Sequence, residues 1–224
     1  MTNKLIFWDW TGTLADESEL DRAVCEDMER ELARKRGIPP EEAADLFNRY
    51  LKGLEGTWEW HDYVRHGRAL GVDWRRSQEA CLDRLRLLEG ASEILDYSRK
   101  RGFFNILATN AVEPVVRLRA AHAGINDRFE LIIGSDTARA LKEEGRHFDL
   151  GLRLLNGDPE SSYSIGDNPI QDIRPALRLG MTAVFCESGR HRTHYHSEHL
   201  TENHDEAVEP DHRIQTLDEL HDIL

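Results

Sequence analysis

Six residues from four separate stretches of the chain could work on a phosphoryl group if the fold gathered them: Asp9, Thr109, Asn110, Lys142, Asp167 and Asp172. Three carboxylates at one place repel one another, so a hard, oxygen-seeking cation such as Mg²⁺ is their natural occupant. An ammonium and a hydroxyl facing that cation suit an anionic, oxygen-rich phosphoryl group. Such a grouping needs a scaffold that delivers each residue to one edge.

That scaffold is legible in the hydrophobic pattern. KLIFWDW (Lys4 to Trp10) reads as a buried strand that presents Asp9 and runs into the turn-like Thr11-Gly12-Thr13. FFNILA (Phe103 to Ala108) leads to Thr109 and Asn110, and SSYSIG (Ser161 to Gly166) leads to Asp167, with Asp172 shortly after. Further strands are expected at Phe129–Ile133 and Met181–Phe185, with Lys142 after the first of these. Helical patterns over Ser92–Arg101, Val112–Ala123, Phe148–Leu155 and Ile170–Leu179 alternate with the strands. This alternation predicts an α/β fold, a Rossmann-like parallel sheet with helices on both faces. Ligands in such sheets bind beyond the carboxyl ends of the strands. From Glu17 to about Leu88 the chain reads as helices only, with stripes at Leu20, Val24, Met28, Leu32 and at Ala43, Leu46, Phe47, Tyr50, Leu51, Leu54. This block is expected to be an insertion. A short strand (His212–Ile214) and a helix (Leu217–Leu224) close the chain.

Composition narrows the function classes. With 29 basic and 42 acidic residues the formal net charge over 224 residues is −13. That argues against a nucleic-acid backbone as general partner. Residues 187–224 hold ten of the acids and three of the bases, so much of the excess is local. No apolar run approaches the roughly 20 residues of a membrane helix, and no membrane association is expected. The first residues lack a basic start followed by an apolar stretch, and Cys25, Cys81 and Cys186 form no disulfide framework, so a cytoplasmic location is expected.

The residues at the strand ends resemble the haloacid dehalogenase (HAD) superfamily. Asp9-Trp10-Thr11-Gly12-Thr13-Leu14 is similar to its first motif, and Ile106-Leu107-Ala108-Thr109-Asn110 to its second. Lys142 with Phe148 is similar to its third, with Glu143 and Gly145 where prolines are usual. Gly166-Asp167-Asn168-Pro169-Ile170-Gln171-Asp172 is similar to its fourth. The resemblance implies an α/β core of residues 1–14 and 90–224, and a small α-helical cap of 15–89. It implies that Asp9 is the nucleophile and becomes an aspartyl phosphate. Mg²⁺ would be held by Asp9, the Thr11 backbone carbonyl, Asp167 and Asp172. Thr109 and the Asn110 amide would hold phosphoryl oxygens and Lys142 would neutralise their charge. Lys52-Gly53 is similar to the substrate-specificity loop of cap-bearing members.

Thr11 departs from the family's phosphatases, which carry an acid/base Asp there. General acid–base catalysis contributes roughly 10²–10⁴-fold, and threonine cannot supply it. The expected function is a Mg²⁺-dependent phosphatase for a small phosphorylated metabolite. One alternative is a catalytically impaired relative that binds a phosphoryl ligand or a protein. A more distant one is a phosphonatase-like C–P hydrolase, which would need a cap lysine, Lys35 or Lys52. Trp58, Trp60 and His61 are expected in the core of the helical block rather than over a substrate, and His66 and His122 at the surface. Cys186 reads as a buried apolar residue. The His-rich segment from His191 to His212 reads as a solvated loop.

Overall fold

A computed structural model describes residues 2–187 and 208–224. Its centre is a six-stranded parallel sheet, and its elements in chain order are as follows. Strand β1 (Lys4–Trp8) leads through a turn to the two-residue strand β2 (Ala15–Asp16). Helices α1 (Ser18–Arg36), α2 (Pro40–Lys52), α3 (Tyr63–Leu70) and α4 (Trp74–Glu79) follow, with a 3₁₀ turn at Trp58–His61, and β3 (Arg86–Leu87) ends this block. Then come α5 (Ala91–Lys100), β4 (Phe103–Ala108), α6 (Glu113–His122), β5 (Leu131–Ile133), α7 (Ser135–Ala138) and α8 (Arg146–Leu154). The last elements are β6 (Tyr163–Gly166), α9 (Arg174–Arg178), β7 (Thr182–Cys186), β8 (His212–Ile214) and a 3₁₀ turn at Leu217–Asp222.

The strand order is β5-β4-β1-β6-β7-β8. The chain builds outward from β1 through β4 to β5, then returns to add β6, β7 and β8 on the other side. Beyond β1 the topology therefore reverses, where ligands of doubly wound sheets bind. The pleat explains how a near-continuous apolar strand serves both faces. Ile6 and Trp8 pack with Leu95, Leu107 and Val116 on one side. Leu5 and Phe7 pack with Phe148, Leu152 and Ala176 on the other. Cys186 is fully buried, as expected.

The helical block has its own core of Leu20, Val24, Met28, Leu32, Phe47, Leu51 and Val72. That core is continuous with Val112 and Val115 at the start of α6. The block's ends are tied together by β2 pairing antiparallel with β3, and the Leu88 N–H donates to the Leu14 carbonyl. The sequence pattern predicts helices alone here. The difference arises because two-residue strands are too short to show alternation.

Three other expectations need correction. His66 is buried at 2% exposure, not at the surface. Its Nε2 lies 3.0 Å from the Trp60 carbonyl, which must accept from it, and its ring stands edge-on to Tyr50. The segment expected as one helix over Ile170–Leu179 opens with a wide π turn at Pro169–Ile173 before α9. The closing helix is a 3₁₀ turn. His122 is exposed as expected. Of the His-rich segment only His212 belongs to the described residues; His191, His194, His196, His199 and His204 lie outside them.

Candidate active site

Register brings the site together. Trp8 is level with Leu107 of β4 and Ile165 of β6. The next residue, Asp9, follows the end of β1, its N–H donating to the Ile165 carbonyl at 2.9 Å. Thr109 follows the end of β4, fixed by its N–H to the Ile133 carbonyl. Asp167 follows β6 directly. With neighbouring strands about 4.8 Å apart, three adjacent strand ends place two carboxylates and a hydroxyl at one edge.

The π turn adds the third carboxylate. Asn168 caps it by accepting from the N–H groups of Ile170 and Gln171. Asp172 is thereby turned back toward β6: its Oδ2 accepts from the Asn168 N–H at 3.1 Å, and Ser164 Oγ donates to its carbonyl. Only glycine fits at position 166, where a Cβ would stand 2.2 Å from the Asp172 carboxyl carbon. Gly12 is required twice over. Its φ of +85° suits glycine, and a Cβ would lie 2.0 Å from Asp167 Oδ2.

Oxygens of Asp9, Asp167 and Asp172 lie within 4.8 Å of one another. Lys142 is buried among them at 2% exposure. Its Nζ donates to Asp9 Oδ1, and to Asp172 Oδ1 at 2.6 Å. Lys142 stands on a 3₁₀ turn after α7, and its N–H donates to Asn110 Oδ1 at 2.8 Å. Asn110 Nδ2 donates in turn to Gln171 Oε1. The Asn110 side chain thus joins the strand end, the lysine turn and the π turn. Thr109 Oγ1 accepts from the Ala111 N–H, which leaves its own O–H to donate.

Electrostatics mark a site short of positive charge. Burial, together with the Asp9 and Asp172 charges, pushes Asp167 well above the usual carboxylate range. Burial pushes Asp172 up to about 7 against the pull of Lys142. Burial disfavours the Lys142 ammonium, but Asp172 and Asp9 outweigh it and hold its pKa above that of an ordinary lysine. Three oxygen donors with one ammonium fit a hard divalent cation, which would relieve Asp167.

Several contributors escape sequence reasoning. Thr13 Oγ1 donates to Asp9 Oδ2 at 3.3 Å. His147 Nε2 lies 3.2 Å from the Thr109 carbonyl, so it carries the proton, and its Nδ1 is buried with no partner among the described residues. Burial and the Lys142 charge push His147 down to about 3, so it is neutral. Glu17 and Arg119, both 2% exposed, form an ion pair at 2.7 Å beside Thr11. Arg119 follows Val115 and Val116 on the buried face of α6, the one signal that could have marked it. Lys52 and Gly53 are exposed at the C-terminal end of α2 and do not join the hydrogen-bonded set. Trp60 packs against the core of the helical block, as expected. The Trp58–His61 turn also packs on α7, at the sheet's functional edge.

Comparison with known proteins identifies the family. The chain is similar to a HAD phosphatase from Thermococcus onnurineus, with a TM-score of 0.77 and 26% identity over 98% of this chain and 97% of that one. It is 25% identical to a glyceraldehyde 3-phosphate phosphatase of Pyrococcus furiosus over 84% of this chain and 82% of that protein. It is 32% identical to a phosphoserine phosphatase of Thermus thermophilus, a match spanning 44% of this chain and 40% of that protein. A second HAD hydrolase-like model matches residues 142–220. The model of haloacid dehalogenase-like hydrolases matches residues 3–180, from the strand that presents Asp9 to beyond the π turn that presents Asp172. Both by sequence and by the way its strand ends assemble this acidic edge, the chain belongs to the haloacid dehalogenase-like hydrolases.

Proposed function

We propose that the protein is a Mg²⁺-dependent phosphatase acting on a small phosphorylated metabolite, with Asp9 as nucleophile. The observation that carries this reading is the buried convergence of Asp9, Asp167 and Asp172 around Lys142. Phosphatase names among the similar proteins support it. Asp9, Asp167, Asp172 and the Thr11 backbone carbonyl would hold Mg²⁺. When bound, the ion supplies charge neutralisation and orientation of the phosphoryl oxygens.

Asp9 attacks phosphorus in line and the ester oxygen leaves, giving an aspartyl phosphate. Lys142 holds one Asp9 oxygen and offsets the phosphoryl charge, while Thr13 holds the other. Thr109 donates its O–H to a phosphoryl oxygen. Water then attacks phosphorus and releases phosphate and the Asp9 carboxylate. Residues 15–89 act as a cap that covers the substrate during these steps.

Thr11 stands where an acid/base carboxylate would protonate the leaving group, so good leaving groups are the preferred substrates. The test is turnover of an aryl phosphate with Mg²⁺ by wild type and Asp9→Asn. Turnover that Asp9→Asn abolishes supports the reading. No turnover across many phosphate esters favours a phosphoryl-binding relative without hydrolysis, for which the threonine at position 11 is the specific motive.

A further inference from the structure

The Glu17 carboxylate grips two consecutive residues of the turn that follows the nucleophile. Trp10 Nε1 donates to its Oε1, and Thr11 Oγ1 donates to its Oε2 at 2.8 Å. The residue after these, Gly12, lies directly against the Asp167 carboxylate. Glu17 itself is held from behind. Arg119, on α6 of the sheet domain, donates to Glu17 Oε1 at 2.7 Å, to Asp21 of α1 at 2.7 Å, and to Gln78 of α4 at 3.0 Å. Tyr63 of α3 completes the group by donating to the same Asp21 oxygen, and its ring lies 5.6 Å from the Arg119 guanidinium carbon.

A guanidinium is a planar fork that can serve several acceptors at once, and here it serves three: Glu17, Asp21 and Gln78. Arg119, Glu17 and Gln78 are buried at 2% exposure or less. A core arginine flanked by Val115, Val116 and Ala120 has no packing reason to be charged, since an apolar side chain of similar volume often matches or exceeds a buried ion pair in stability. Its distinctive property is geometric: it fixes the helical block and the nucleophile's turn in one frame.

We propose that Arg119 and Glu17 are positioning residues that hold the Trp10–Gly12 turn in register with Asp9 and Asp167, and tie that register to the placement of the helical block. The proposal rests on the reading of Asp9 as the reacting group. Misplacement of a reacting group by about 1 Å costs on the order of 10²-fold in rate, so loss of the grip is expected to act on kcat.

The test compares wild type, Glu17→Gln, and the double variant Glu17→Met with Arg119→Met, which keeps volume and removes both members of the buried pair, Asp21 retaining the Tyr63 hydroxyl as donor. Thermal melts establish that each folds. With p-nitrophenyl phosphate and Mg²⁺, the double variant is expected to lose roughly 10–100-fold in kcat with KM changed far less. Glu17→Gln, which keeps an oxygen acceptor, is expected to retain most of the rate. A folded double variant with wild-type kcat overturns the proposal, as does an equal loss in Glu17→Gln, which would point to charge alone. Asp9→Asn separates the two readings. If turnover survives in Asp9→Asn, the nucleophile assignment fails. Crystal structures of the double variant then decide the clamp: a displaced Thr11–Gly12 turn supports it and an unmoved one overturns it.

Discussion

At the scale of single residues, the site separates groups that the sequence displays from groups it hides. Asp9, Thr109 and Asp167 are visible because each follows an apolar run, and Lys142 and Asp172 because of their places after the strands and in motifs that resemble the family's. His147 is hidden, since a histidine early in an amphipathic helix reads as solvated. Its burial makes a measurable prediction. Its folded pKa is about 3 against about 6.5 for a free histidine, so the unfolded chain binds the proton first. His147 therefore contributes stability that is present above pH 6.5 and is lost as pH falls toward 3, at up to ~1.4 kcal/mol per pH unit. Gln can donate to the Thr109 carbonyl without titrating. His147→Gln is expected to flatten the stability profile over that window, measured by urea unfolding at several pH values. A profile parallel to wild type would refute the assignment of a neutral, buried imidazole. Thr11 makes the second residue-scale prediction. Since Thr11 Oγ1 donates to Glu17, Thr11→Asp is paired with Glu17→Gln, whose amide can donate to the new carboxylate. This double variant is expected to exceed Glu17→Gln in kcat for alkyl phosphates by at least tenfold and for aryl phosphates by far less. Equal effects on both classes in a folded variant would remove Thr11 from the leaving-group step.

At the scale of elements, legibility follows length. Strand β4, Phe103–Ala108, is found with the bounds that its apolar run predicts, and β8, His212–Ile214, with the bounds expected of it. The β2–β3 clasp is invisible because two residues carry no period, and its hydrogen bonds depend on partners some 70 positions apart. The π turn is hidden for a different reason. Its sequence has helical periodicity, but Asn168 capping and the need to aim Asp172 at β6 impose a wider first turn. Close approach of helix to sheet is likewise read only in three dimensions. Gly151, in the middle of α8, lies where a Cβ would stand 2.4 Å from the Phe7 ring, a ring also packed on Phe148. Alanine favours helix over glycine by about 1 kcal/mol, but overpacking a filled core costs about 1–3 kcal/mol. Gly151→Ala is expected to lower stability by up to about 2 kcal/mol in urea unfolding with an unchanged m value. A variant as stable as wild type would show that α8 can shift away from the sheet without cost.

At the scale of the whole molecule, the acidic excess has two sources with different physics. The acids at 187–224 belong to a strongly acidic stretch of sequence. Asp9, Asp167 and Asp172 instead converge beside a single ammonium. The convergence of like charges works against the stability of the packed sheet. The raised pKa of Asp167 states this cost directly: its ionised form is disfavoured in the folded chain relative to the unfolded one. A cation that binds only the folded chain stabilises it by mass action, about 2.7 kcal/mol at a hundredfold excess over Kd. For a chain of this size that corresponds to a rise in Tm on the order of 5–10 °C. Mg²⁺ added to chelator-treated protein is expected to produce such a rise. Asp167→Asn removes both the repulsion and a metal oxygen, so it is expected to melt higher than wild type in chelator and to gain little from Mg²⁺. A Mg²⁺ response of wild-type size in Asp167→Asn would place the cation elsewhere, and an unchanged melting temperature in chelator would show that Lys142 alone balances the three carboxylates.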